Sequence, residues 1–122
     1  MSNARNIANL PNGDDAPVYA CRAFARVGTG SAHSNLVGYG FSSLVNGGYT
    51  KNSTTHTFTF DDNHRPLNDD YTVVSSAARY TSYNWLVTIT SKSTSAFSLI
   101  LSDISGAAQS DNLEGVDVAV FF

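Results

Sequence analysis

The segment from Ala16 to Val27 alternates in size and polarity with a period of two, which is the pattern of a β-strand. One face of this strand is small and apolar: Tyr19, Cys21, Ala23, Ala25 and Val27. The other face carries an aromatic ring between two arginines: Val18, Ala20, Arg22, Phe24 and Arg26. Two unpaired arginines in a core would cost several kcal/mol each, so the second face is predicted to lie in solvent or against another subunit.

Further strand-like segments follow along the whole chain, separated by Gly, Asn and Asp-rich turns. They are Asn35 to Val45, Thr55 to Asp61, Tyr71 to Ala78, Asn84 to Thr90, Ala96 to Ser102 and Val116 to Phe122. After residue 16 no segment has the pattern of a long helix. The sequence therefore predicts an all-β, antiparallel, jelly-roll-like β-sandwich of about seven to eight strands over residues 16–122, preceded by a short N-terminal segment over 1–15.

The alternation also predicts which side chains form the core. The predicted core residues are Cys21, Ala23, Phe58, Phe60, Trp85, Val87, Ile89, Leu99, Val118 and Val120. Cys21 is the only cysteine, so an intrachain disulfide is excluded, and its place among small residues predicts a buried, unreactive thiol.

The charge and the hydrophobic pattern of the chain exclude two classes of partner, nucleic acids and the membrane interior. The formal net charge is −3 and only 14% of the residues are charged, whereas nucleic-acid binders need a basic surface. The sequence has no long apolar run for a membrane span and no apolar segment near Met1 that would mark a secretory signal. We therefore expect no nucleic-acid partner and no membrane insertion.

No motif in the chain indicates catalysis or a cofactor. His33, His56 and His64 lack the spacing of metal ligands, and the paired aspartates are explained by turn formation. Nucleophile elbows, phosphate-binding loops and zinc-protease motifs are not found in the sequence. The chain is predicted not to be an enzyme and to need neither a metal nor a cofactor.

One aromatic cluster has the composition of a sugar-binding site. Tyr80 and Tyr83 flank a predicted turn near Trp85, which the alternation assigns to the core. Tyr80 can stack on the face of a sugar ring while the Asn84 amide bonds a hydroxyl group. Tyr80, Tyr83 and Asn84 are therefore the predicted glycan-binding residues.

Four segments, taken in order, resemble the tip domains of bacteriophage tail fibres, above all those of marine and cyanobacterial phages. They are Asn3 to Leu10, the ACRAF segment Ala20 to Phe24, the YTVV segment Tyr71 to Val74, and the VDVAVF segment Val116 to Phe121. The resemblance covers nearly the whole chain, and Phe24 stands where the family usually has tryptophan. It implies a virion protein, a homotrimer, that binds the host surface through a glycan.

The resemblance also implies how the chain is attached. Fibre-tip domains follow a long shaft, whereas here Met1 lies just before the domain, so we expect a small subunit that joins another virion protein (fibre, tail, baseplate or capsid) through residues 1–15. The N-terminal segment is then either a frayed terminus or one that becomes ordered only within the assembly. The alternative function is a capsid or tail decoration subunit, or an adaptor, with no receptor role.

Independently of the resemblance, several residues favour association between chains. The predicted interface residues are Ile7, Leu10, Val18, Arg22, Phe24, Arg26, Phe121 and Phe122. An apolar face with arginines is the composition of an interface, and two phenylalanines at a terminus are expected to pack against other groups. These residues favour association between chains but do not give the number of subunits. The trimeric state is implied by the resemblance to fibre tips.

Overall fold

The computed structural model describes residues 20–28, 36–79, 85–103, 105–108 and 114–122. These residues form eight β-strands and a 3₁₀ turn at Leu44–Asn46. The strands are β1 (Cys21–Val27), β2 (Val37–Tyr39), β3 (Tyr49–Asn52), β4 (Thr55–Thr59), β5 (Thr72–Arg79), β6 (Leu86–Lys92), β7 (Ala96–Ser102) and β8 (Glu114–Phe121). In this part of the chain no helix is long and apolar enough to cross a membrane.

The strands form two four-stranded antiparallel sheets. The first sheet has the order β2-β1-β8-β5 and the second has the order β3-β4-β7-β6. Each sheet turns its apolar face towards the other, which is how a sandwich buries the alternate residues of its strands. The predicted all-β antiparallel sandwich is confirmed.

Aromatic rings fill the centre of the sandwich. Phe97 lies within 6.4 Å, centroid to centroid, of four other rings: Phe41, Phe58, Phe60 and Tyr71. Of the predicted core residues, six are buried: Ala23, Phe58, Phe60, Leu99, Val118 and Val120. Three others are half-buried and pack against this core: Trp85, Val87 and Ile89.

The prediction for Cys21 was wrong, because this side chain is exposed. Cys21 pairs with Phe121 and Ala23 pairs with Val120, so two steps along β1 match one step along β8. This β-bulge puts one extra residue into β1 and interrupts the alternation before Ala23, so that Cys21 and Arg22 are both exposed. Cys21 is exposed for this reason, although the period-two alternation of the sequence assigns it to the core.

The segment Asn35 to Val45, predicted as one strand, is interrupted at Gly40. Strand β2 ends at Tyr39, and Gly40 has a φ of +83°, a conformation that L-residues rarely adopt. A Cβ at this position would lie 2.7 Å from the Cβ of Ala23. The turn sends Phe41 into the core, where it forms a bridge to Phe60, while Val37 and Tyr39 stay outside.

Two adjacent glycines after the 3₁₀ turn provide a matched test of this packing. A Cβ added to Gly48 would overlap the carbonyl oxygen of Ser42, whereas nothing lies within 4 Å of one added to Gly47. We expect Gly48→Ala to lower the free energy of unfolding by about 2–3 kcal/mol through overpacking. Gly47 has a φ of +104°, so Gly47→Ala is expected to cost about 1 kcal/mol through backbone strain alone.

Urea denaturation of the two variants checks this difference. Equal losses of stability in Gly47→Ala and Gly48→Ala would contradict the close approach of Gly48 to Ser42.

Candidate functional site

An apolar row crosses all four strands on the outer surface of the first sheet. The register aligns Tyr39 with Phe24, Phe24 with Ala119 and Ala119 with Val74. Residues aligned in this way lie side by side on one face of a sheet. The exposed fractions are 57% for Tyr39, 48% for Phe24 and 56% for Val74, so the row is open to solvent in the single chain.

A second row lies beside the first and carries the charges. Arg26 is aligned with Val37 on one side and with Asp117 on the other. We call the outer surface formed by these rows the first-sheet face. Its aligned residues are Cys21, Phe24, Arg26, Val37, Tyr39, Thr72, Val74, Ser76, Asp117, Ala119 and Phe121, and the exposed Arg22 lies beside them at the β-bulge. Large exposed apolar groups framed by arginine are typical of surfaces that bind protein.

The two arginines of this face are held by contacts within the chain. Arg22 donates from Nε to the carbonyl oxygen of Phe122 at 2.9 Å, and its Cζ lies 5.9 Å from the centroid of the Phe122 ring. Arg26 donates from Nε to Oδ1 of Asp117 at 3.1 Å. Both contacts are exposed and add little stability, but they position the guanidinium groups and use one of the five N–H donors of each.

Tyr39 is held by a chain of hydrogen bonds from the loop after β4. The Asp61 Oδ1 lies 2.6 Å from Nδ1 of His64, and His64 Nε2 lies 3.0 Å from the Tyr39 hydroxyl. An ionised carboxylate only accepts, so Nδ1 is the donor to Asp61, and in the neutral imidazole Nε2 accepts from Tyr39. The hydrogen bond from His64 lowers the pKa of Asp61 from its ordinary value, and the backbone N–H of Asn63 contributes further.

This chain of bonds orients the aromatic part of the row. The His64 ring meets the Tyr39 ring edge-on with centroids 4.8 Å apart, and the Tyr39 ring lies at 22° to the Phe24 ring with centroids 6.4 Å apart. Tyr39 and Phe24 therefore form a stacked aromatic pair on this face.

A depression of about 360 Å³ opens in the first-sheet face beside these rings. It is lined by Phe24, Ala25, Arg26, Val37, Asp117 and Val118. Its walls are apolar on one side and carry the Arg26–Asp117 pair on the other. It can receive an apolar side chain of another molecule whose neighbouring groups are charged.

The second sheet presents a different outer surface. Thr57 and Ser98 face each other there, with their hydroxyl oxygens 2.8 Å apart. Hydroxyl groups paired in this way are compatible with solvent. The exposed aromatic pair of Phe24 and Tyr39 belongs to the first sheet, whereas the exposed large apolar residue of β6 in the second sheet is Leu86.

The structure brings together part of the predicted interface. Arg22, Phe24 and Arg26 lie on the first-sheet face, and Phe121 lies at its end beside the β-bulge. Phe122 is half-buried, packs against the core and lies beside Arg22. The other predicted interface residues, Ile7, Leu10 and Val18, and the predicted glycan-binding residues, Tyr80, Tyr83 and Asn84, lie outside the described residues.

Several residues of this face were not predicted from the sequence. Val37 and Tyr39 alternate with glycines, but this alternation does not say which side is buried. Asp117 joins the face through the pairing of β1 with β8, and Val74 joins it through the pairing of β8 with β5. The hydrogen bond between His64 and Tyr39 spans 25 positions of the chain, and no local sequence pattern signals it.

The described residues contain no group of three or more His, Cys, Asp and Glu side chains placed to hold a metal ion. His56 is buried in the core, where its Nδ1 lies 2.7 Å from the Tyr49 hydroxyl. This histidine is a hydrogen-bonded residue of the core.

Comparison with known proteins assigns no relative to the chain. No protein-family model matches the sequence, and no curated protein matches it.

Proposed function

We propose that this chain is a homotrimeric bacteriophage virion protein of the tail-fibre-tip type, which assembles through its first-sheet face and binds a glycan on the host surface. The observation that carries the assembly part is the exposed row of Tyr39, Phe24 and Val74, framed by arginines. In a sheet with one face in solvent, the outward residues of each strand are normally polar. An apolar face of this kind is stable in water when a partner covers it.

The virion assignment and the number of three subunits are supported by the resemblance of four segments to phage fibre tips. The low charged content and the all-β sandwich are compatible with a robust extracellular assembly. Attachment to another virion protein is assigned to residues 1–15.

The glycan part of the proposal is tested by an array of bacterial surface glycans. We expect the wild-type protein to bind a defined subset of these glycans, and Tyr80→Ala to weaken binding about tenfold through loss of ring stacking. Tyr80→Phe keeps the ring and is the matched control, which should bind like the wild type. An assembled wild-type protein that binds no glycan would instead support the decoration or adaptor function.

A further inference from the structure

We propose that the occupant of the first-sheet face is the loop at residues 61–70 of the neighbouring subunit, with Leu67 entering the depression beside Phe24. This inference rests on the proposed homo-oligomer and names the surface with which the face associates. Leu67 is 99% exposed, which is the largest exposure among the large hydrophobic residues described. Full exposure of a leucine at a loop is costly in water and is removed when another surface covers it.

The loop presents Leu67 from a fixed backbone. Pro66, just before it, is buried. Just after it, the backbone N–H of Asp70 donates to Oδ1 of Asn68 at 2.9 Å, which forms a turn. The loop is therefore ordered before association, and little conformational entropy is lost when Leu67 is covered.

The carboxylates that follow Leu67 complement the arginines of the face, whereas the cation of the loop, Arg65, is already paired with Asp62 at 2.7 Å. Asp69 and Asp70 are exposed and follow Leu67 by two and three positions. On the face, Arg26 lines the depression beside Phe24, and the exposed Arg22 lies at the β-bulge of the same strand. An apolar side chain next to carboxylates thus meets an apolar depression next to guanidinium groups, which have N–H donors beyond the Nε already used.

The relative position of the two surfaces favours a closed ring. A contact between two different surfaces of the same chain is heterologous, and it produces either a ring or an open filament. In a ring of few subunits, each subunit contacts one neighbour on either side of the rotation axis. Its two contact surfaces therefore lie next to each other where they approach this axis. Here the loop and the face do meet, because His64 of the loop bonds Tyr39 of the face. The Asp61–His64–Tyr39 hydrogen bonds thus connect the loop to the face within one subunit.

A mixing experiment tests this arrangement. Leu67→Asp removes the apolar group of the loop and keeps the face, whereas Phe24→Asp disrupts the face and keeps the loop. Each variant alone is expected to be monomeric. When the two are mixed, the intact loop of Phe24→Asp docks on the intact face of Leu67→Asp. Native mass spectrometry should then show a one-to-one heterodimer that does not grow further.

The control is Leu86→Asp, which changes an exposed leucine of the second sheet and should assemble like the wild type. Circular dichroism verifies that all variants are folded. A Leu67→Asp protein that assembles like the wild type, or a mixture that contains only monomers, would overturn this inference and leave the proposed oligomer standing. A monomeric wild-type protein would instead overturn the proposed function, and with it the inference.

Discussion

Replacing Phe97 with alanine is expected to lower the free energy of unfolding by about 4 kcal/mol, because it opens a cavity at the centre of the sandwich. Phe97 is fully buried, and its ring contacts aromatic residues of both the second sheet and the loop that joins the sheets. Chemical denaturation measures the loss. All variants must be compared at one protomer concentration, since the proposed assembly would add to the stability of the folded chain.

The matched control for this prediction is Leu86→Ala, which removes a large side chain from the exposed surface of β6. It should change the free energy of unfolding by less than about 0.5 kcal/mol. If Phe97→Ala cost no more than Leu86→Ala, the aromatic centre described here would not be the core of the protein.

Phe24→Asp is expected to convert the assembly into folded monomers. The substitution places a carboxylate in the apolar row, where association would have to bury it among Tyr39, Ala119 and Val74. Phe24 lies outside the core, so the sandwich itself should remain folded. Sedimentation velocity measures the change in mass and circular dichroism the retention of strands.

Two controls separate the effect of charge from that of shape. Phe24→Leu keeps the row apolar and should still assemble, although more weakly. Thr88→Asp places the same carboxylate on the exposed surface of the second sheet and should leave assembly unchanged. Dissociation by Thr88→Asp as well would show that added negative charge, rather than the first-sheet face, controls association.

The fold could be predicted because the strands of this chain alternate cleanly. The period-two alternation of β1 predicted that Ala23 lies in the core and Phe24 on the outer surface, and both assignments are confirmed. The same alternation gave the wrong side for Cys21. The β-bulge arises from the pairing of β1 with β8, so the sequence of β1 alone does not show it. The alternation also failed at Gly40, where a positive φ ends a strand that the pattern continues.

The candidate site was less predictable, because the pairing register of four strands decides which residues lie side by side on the first-sheet face. Arg22, Phe24 and Arg26 belong to one strand, so their common face could be read from the sequence. Val74 joins them through β8, although it lies 50 positions after Phe24 in the chain. The loop around Leu67 contains turn-forming residues, and only its bond to Tyr39 shows that it adjoins the face.

The central claim is that the first-sheet face is covered by further copies of this chain. The most direct test is the mass of the wild-type protein in solution, measured by light scattering after size-exclusion chromatography at micromolar concentration. A trimer has three times the 13.0 kDa mass of the chain, and this is the mass we predict. A stable species of 13.0 kDa would contradict the claim.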